Sequence, residues 1–254
     1  MRTIDLNSDL GEGFGPWTMG DDAAMLTVVS SANVACGGHA GDPETMYATC
    51  RTAAENGVVI GAHPSYVDRE GFGRRLIPMR PAEIGRMVVA QVGALVAIAQ
   101  HARTEVRYVK PHGALGNLAA ADAEVATGII EAVHAAFPAL AILAISGTQL
   151  ELVARAAGVE VYSEIFADRA YQPDGLLVPR GQPGAVIHDA AQAAQRLIAF
   201  VEHGRMEVVG GEPIQLAAHS VCVHGDTPGA VEMARHIRSE LVAAGLTPHP
   251  FLST

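Results

Sequence analysis

Lysine is nearly missing from this chain of 254 residues: sixteen arginines and the single Lys110 make up its seventeen basic side chains. An ammonium is a compact point charge whose pKa answers to its surroundings, and a guanidinium is neither. A lysine kept against such an arginine background is therefore a candidate for chemistry, although chance survival alone would also leave one. Cysteine is scarce as well. Cys36, Cys50 and Cys222 are too few and too scattered for a disulfide framework or a C-x-x-C zinc site. Positive charge is short: 17 basic residues against 27 acidic leave −10 with histidine neutral. That balance argues against nucleic-acid or anionic-membrane partners, which need a basic surface. No uninterrupted apolar run reaches the ~18 residues of a spanning helix, and the opening Met1–Asn7 stretch lacks the apolar core of a signal peptide. The expectation is a soluble, cytoplasmic protein in a reducing compartment.

Several catalytic motifs are missing too. Gly11, Gly13 and Gly15 run into Pro16, which breaks a dinucleotide fingerprint, and the only lysine follows Val109, so there is no P-loop. No G-x-S-x-G elbow and no H-E-x-x-H or H-x-x-x-H pair occurs. Cys36 and Cys222 each abut a buried strand and read as small core hydrophobes rather than nucleophiles.

What the chain has is 49% hydrophobic residues arranged as alternating strands and helices. β-branched runs at Thr3–Asn7, Ala32–Ala35, Val58–Ala62, Val106–Val109, Ala141–Ile145, Val159–Ser163 and Leu216–Val223 predict seven strands. Between them, Pro81–Gln100, Asp122–Ala136 and Pro228–Ala244 carry apolar residues every three or four positions. Asp42-Pro43-Glu44 opens another helix, with Asp42 as its cap. Thr227 reads as a cap as well, and Gly57, Gly158 and Gly245 as stops. Strands that alternate with helices run parallel. Seven such units without a linker predict one α/β domain over residues 1–254, a single-domain (β/α)7 TIM-like barrel. The Gly- and Pro-rich stretch Glu164–Pro183 is the longest without helical period.

Each predicted strand runs at its carboxyl end into polar residues, where parallel α/β folds place their chemistry. Strand one leads to Asn7, Asp9 and Glu12, strand two to Asn33, His39 and Asp42. Strand three leads to His63, strand four to Lys110 and His112, strand six to Glu164, Asp168 and Arg169, and the last to His224 and Asp226. Singly, each reads as a cap, a turn former or a structural histidine. Together on one rim they predict a shared site. Neighbouring Gly38, Gly61, Gly113 and Gly225 would let backbone approach a ligand.

Asp9 and Glu12 suit a general base and its orienting partner, Lys110 a stabiliser of developing negative charge, and His63 and His112 proton transfer. Arg169 and Arg180 suit a clamp on a carboxylate or phosphate, with a bridge from either arginine to Glu164 as the structural alternative. A metal held by Asp9, His39 and His63 is the lesser alternative. This inventory fits hydrolysis or acyl transfer on a small acidic or amide substrate.

The runs Asp5–Glu12, Asn33–Asp42, Gly61–Tyr66, Val109–Leu115, Phe166–Tyr171 and Val221–Pro228, taken in order, resemble the LamB/YcsF family. The resemblance implies a barrel of the glycoside hydrolase/deacetylase type. It also implies a role as the A subunit of an ATP-dependent 5-oxoprolinase, opening the lactam of 5-oxo-L-proline to L-glutamate with subunits B and C as partners and ATP used in the complex. On that reading Asp9, Glu12, Lys110, His63 and His112 carry the chemistry. Asn7, Asn33, His39, Arg169, Arg180, His224 and Asp226 contact the substrate. The alternatives are a stand-alone metal-dependent amidohydrolase or deacetylase and a non-catalytic subunit that binds the lactam. The chain departs from the family at Gly38 and Gly116, beside the predicted pocket.

Overall fold

The computed structural model describes residues 2–226 and 229–252, so the cap expected at Thr227 and the helix start expected at Pro228 lie outside the described residues. Seven parallel strands close a barrel. They are β1 (Arg2–Leu10), β2 (Ser31–Ala35), β3 (Val59–His63), β4 (Val106–Val109), β5 (Ala141–Ile145), β6 (Val161–Phe166) and, after a short antiparallel hairpin of β7 (Arg205–Met206) and β8 (Ile214–Gln215), β9 (Ser220–Cys222). Strand β9 pairs with both β6 and β1, which seals the ring. A last strand, β10 (Leu246–Pro248), extends the amino-terminal half of β1. The helices α1 (Asp22–Met25), α2 (Pro43–Glu55), α3 (Pro81–His101), α4 (Gly113–Ala121), α5 (Ala123–Ala136), α6 (Gln149–Ala156), α7 (Ala190–His203) and α8 (Ala230–Ala243) fill the connections. This is the single-domain α/β barrel that the strand–helix alternation predicts.

Local signals set most boundaries. Asp42 accepts a hydrogen bond from the Thr45 amide as the cap of α2, and Pro43 occupies its first turn. Gly57, Gly158 and Gly245 follow α2, α6 and α8 with left-handed φ of 67°, 70° and 79°. By length and composition α3 could cross a membrane. Its Ile84, Val88, Val92, Leu95 and Ala99 stripe is buried in the main core, as in a core helix of a globular fold.

Three strands depart from expectation. β1 continues to Leu10 and β6 to Phe166, while the last barrel strand shrinks to Ser220–Cys222. The reason is a two-sided β1. Ile4, Leu6 and Leu10 join the core under the helices, whereas Asp5, Asn7 and Asp9 form hydrogen bonds within the barrel. Polar residues at alternate positions therefore belong to the strand instead of ending it. Leu216 drops out because its amide bonds to Gly204 in the hairpin region.

The lower barrel holds a small apolar cluster of Val59, Tyr108, Ala141, Leu143 and Leu252. Gly61 makes this possible, since a Cβ there would lie 2.1 Å from the Tyr108 ring. It makes room for a side chain, not for a ligand. Deep in the barrel, Asp5 accepts from Ser30 Oγ at 2.6 Å, Ser31 Oγ at 2.7 Å and Ser220 Oγ. Burial outweighs these bonds and raises the Asp5 carboxyl from 3.8 to about 6. Between those values the folded chain holds a proton that the unfolded chain has released, so this site's contribution is full below pH 3.8 and falls as pH rises to 6. The loss is on the order of 3 kcal/mol. Urea unfolding of the wild type and Asp5→Asn at about pH 4 and pH 7 measures it: the gap should move toward the variant by up to about 3 kcal/mol at the higher pH. An unchanged gap would mean that Asp5 is ionised throughout.

Candidate active site

Above these layers, Lys110 projects from the end of β4 into the barrel axis. Its Nζ lies 2.8 Å from Glu164 Oε1, 3.1 Å from Asp9 Oδ1, 3.3 Å from Asn7 Oδ1 and 3.2 Å from Cys222 Sγ. Burial alone would lower the pKa of the ammonium. The facing Asp9, Cys222 and Glu164 reverse that and hold its pKa well above the usual lysine value. Asp9 is likewise buried, yet His63 and Lys110 keep its carboxyl well below the usual range. Burial raises Glu164, and Lys110 offsets only part of it. Glu164 thus pairs with the lysine and not with Arg169.

Three of the residues expected to touch substrate are part of the support. Asn33 donates from Nδ2 to Asn7 Oδ1 at 2.7 Å and to Asp9 Oδ1 at 2.8 Å, and its Oδ1 accepts from the Tyr108 hydroxyl at 2.6 Å. Asn7 donates to Glu164 Oε1 at 2.9 Å and to Ser220 Oγ at 2.6 Å. Both amides are fully buried and spend their donors on neighbours, so they fix the carboxylates of the site. His39 is the third. Its Nδ1 meets Ser65 Oγ at 3.0 Å and its Nε2 meets Glu12 Oε1 at 2.9 Å, and its ring stacks on His112 at 3.7 Å.

The histidine tautomers follow from carbonyls. His63 Nδ1 lies 2.7 Å from the Lys110 carbonyl and His112 Nε2 lies 2.9 Å from the Phe72 carbonyl. A carbonyl only accepts, so each of these nitrogens carries hydrogen. The opposite nitrogens, His63 Nε2 and His112 Nδ1, face each other at 3.0 Å. Asp9 Oδ2 is 3.3 Å from His63 Nε2, and Glu12 Oε1 is 3.7 Å from His112 Nδ1. Glu12 therefore turns toward His39 and His112 and does not orient Asp9, a task left to Asn33 and Lys110. Burial and the Asp9 charge raise the Glu12 carboxyl to about 8, while burial lowers His39 to about 3. Burial and its two histidine neighbours push His112 well below the usual value.

A cleft of about 560 Å³ opens over this floor. Asp9, His63, Lys110, His112, Glu164, Arg180 and His224 line it. His224 Nδ1 lies 2.7 Å from Asp168 Oδ2, and its ring stacks on Phe166 at 5.5 Å. Burial opposes the Asp168 charge, but His224 outweighs it and lowers the carboxyl. The sequence puts Asp168 on the rim without giving it a role. The Asp–His pairing, fifty-six positions apart, has no local spacing to reveal it.

The remaining expectations divide. Arg169 lines the cleft, but its guanidinium is spent on the Val178 carbonyl at 2.7 Å and the Ala185 carbonyl at 3.2 Å, where it braces the loop after β6. Arg180 makes no hydrogen bond or ion pair to the described residues. Asp226 is bound to Arg74 on the rim. Gly113, like Gly61, accommodates protein: with φ of 56°, its Cβ would lie 2.6 Å from the Gly73 carbonyl.

Residues 4–254 match the profile of the LamB/YcsF family. A protein from Pseudomonas syringae pv. tomato that bears the name of a 5-oxoprolinase A subunit is 52% identical over 251 residues, spanning 99% of this chain and 98% of its own. The 5-oxoprolinase A subunit of Nocardia farcinica is 54% identical over 249 residues, or 98% of this chain and 99% of its own. The crystal structure of a lactam utilization protein from Thermus thermophilus superposes with a TM-score of 0.91 at 40% identity, over 97% of this chain and 99% of that one.

Proposed function

Because the chain belongs to the LamB/YcsF family, we propose that it is the A subunit of an ATP-dependent 5-oxoprolinase, whose barrel holds the lactam while its ring is opened to L-glutamate. Subunits B and C are its partners on this reading. The observation that carries it is the cleft lining: a buried ammonium between two carboxylates, together with a carboxylate-held imidazole and a half-buried guanidinium.

An unactivated lactam carbonyl is a poor electrophile. Phosphoryl transfer from ATP to its oxygen makes C5 open to attack by water. Lys110 Nζ then neutralises negative charge on the oxygens at C5, in a buried site where one charge is worth far more than in water. Asp9 and Glu164 hold that ammonium in place. Asp168 accepts the Nδ1 hydrogen of His224, which leaves Nε2 free to take a proton from the attacking water and pass it to the ring nitrogen as the C5–N bond breaks; the γ-glutamyl phosphate so formed is hydrolysed by a second water to L-glutamate and inorganic phosphate. Arg180, which makes no hydrogen bond or ion pair to the described residues, pairs with the substrate carboxylate.

The test is release of ADP with and without 5-oxoproline, by this chain alone and with the two partner subunits added. Substrate-dependent ADP release only in the assembled mixture is the expected result. Ring opening by this chain alone, without ATP, would overturn the ATP-coupled reading.

A further inference from the structure

We propose that Asp9 Oδ2, Glu12 Oε1, His63 Nε2 and His112 Nδ1 form a binding site for one divalent transition-metal ion of zinc-like preference. These four atoms lie within 4.8 Å of one another, and all four side chains are buried.

The first argument is the direction of the lone pairs. The Lys110 and Phe72 carbonyls take the hydrogens of His63 Nδ1 and His112 Nε2. When both rings are neutral, as metal ligands must be, two unprotonated nitrogens so anchored point at each other across 3.0 Å, beside two carboxylate oxygens. The two imidazole lone pairs and the Asp9 carboxylate facing one point repel unless positive charge lies between them, and Glu12 joins them on giving up the proton that burial makes it hold. A proton on one imidazole would answer the histidine pair, whereas a divalent ion answers all four.

The second argument is size. Ligands at about 2.0–2.1 Å around a tetrahedral ion stand about 3.4 Å apart. Three of the six separations here are 3.0 Å between the two imidazole nitrogens, 3.3 Å from His63 to Asp9 and 3.7 Å from His112 to Glu12, and all six lie within 4.8 Å. Two imidazoles and two carboxylates suit zinc, cobalt or manganese better than the all-oxygen sets of calcium and magnesium.

The third argument is the outer support. Carbonyl partners on the distal nitrogens fix ring orientation in metal sites. One of those carbonyls belongs to Phe72, a non-glycine residue held at a φ of 53°. The next residue, Gly73, has a φ of 63°, and a Cβ on it would lie 2.9 Å from His39 Cβ and 3.0 Å from His112 Cδ2. The strained turn places the carbonyl against His112. His39 completes the shell through Glu12, and with Ser65 on its other nitrogen it has no lone pair left for an ion. The proposed set differs from the lesser alternative of Asp9, His39 and His63 that the sequence offers: His112 stands in place of His39, and Glu12 is added.

Asp9, His63 and His112 also border the cleft, so the ion would act as a Lewis acid on an oxygen placed there. The site stands on side-chain geometry and does not depend on the lactam reading. The full chain, stripped with a chelator, is titrated with cobalt(II) alone and then with zinc(II). Saturation at one equivalent, with the visible d–d bands of a low-symmetry cobalt site that zinc abolishes, is the expected result. His63→Gln and His112→Gln should each lose those bands, while His39→Gln should bind about 10–100-fold more weakly. Should the ligand variants fail to fold, the wild-type titration decides by itself. Absence of saturable binding at one equivalent, or unchanged bands in both His63→Gln and His112→Gln, would overturn the proposal. Neither lactam nor ATP enters this experiment, so its failure leaves the 5-oxoprolinase reading untouched.

Discussion

Lys110→Met should lower 5-oxoproline-dependent ATP hydrolysis in the assembled complex by about 10³-fold, the scale seen when one preorganised stabiliser of a developing oxyanion is removed. The same substitution should also cost stability. It leaves Asp9 and Glu164 buried without their counter-charge, a loss of about 3–5 kcal/mol when one partner of a buried pair is deleted. Low activity alone would therefore be ambiguous. The pair Lys110→Met with Glu164→Gln separates the two effects, because it neutralises one of the stranded carboxylates. It should recover part of the unfolding free energy and none of the turnover. Lys110→Arg should not restore activity either, since the guanidinium is larger and planar and cannot occupy a pocket ringed by atoms 2.8–3.3 Å from one nitrogen. Turnover within a few-fold of wild type in Lys110→Met would remove the ammonium from the mechanism.

The second large effect belongs to Asp168. In Asp168→Asn the amide can turn its NH2 toward His224 Nδ1, which favours the tautomer with hydrogen on Nε2. The base is then occupied. The change is nearly isosteric, so the fold should persist, while kcat falls by about 10²–10⁴-fold with KM changed little. His224→Gln should fall to the same level, and the double variant no further, because the two residues act as one unit. A structural role would instead show as a lowered unfolding midpoint with kcat retained. That outcome would leave the Asp168–His224 contact as a brace between β6 and β9.

Legibility in the sequence was uneven, and the reason differs by residue. Ala141–Ile145 is apolar on both sides and stands out at its full length. β1 does not, because Asp5, Asn7 and Asp9 face a polar barrel interior and look like the residues that end strands. Lys110 stands out as the single lysine, while the sequence suggests only an arginine as a partner for Glu164. Its actual partner comes from β4, across the barrel, and no spacing along the chain encodes that. His39 and His112 look equivalent in sequence, each beside glycine after a strand. One spends both nitrogens on Ser65 and Glu12, and the other keeps one aimed at His63.

By itself the sequence determined that strands and helices alternate, that the strands close in parallel, and that acid, imidazole and ammonium groups lie at their carboxyl ends. Those features depend on local periodicity and on caps such as Asp42, which neighbouring residues settle. Only the tertiary structure decided which of those groups meet. Closing seven strands staggers them against each other, so side chains from opposite walls reach one level only once the ring is complete. Asn7 and Phe166, far apart in the chain, both register with Cys222 for that reason, and with them Lys110, Glu164 and His224 arrive at one cleft.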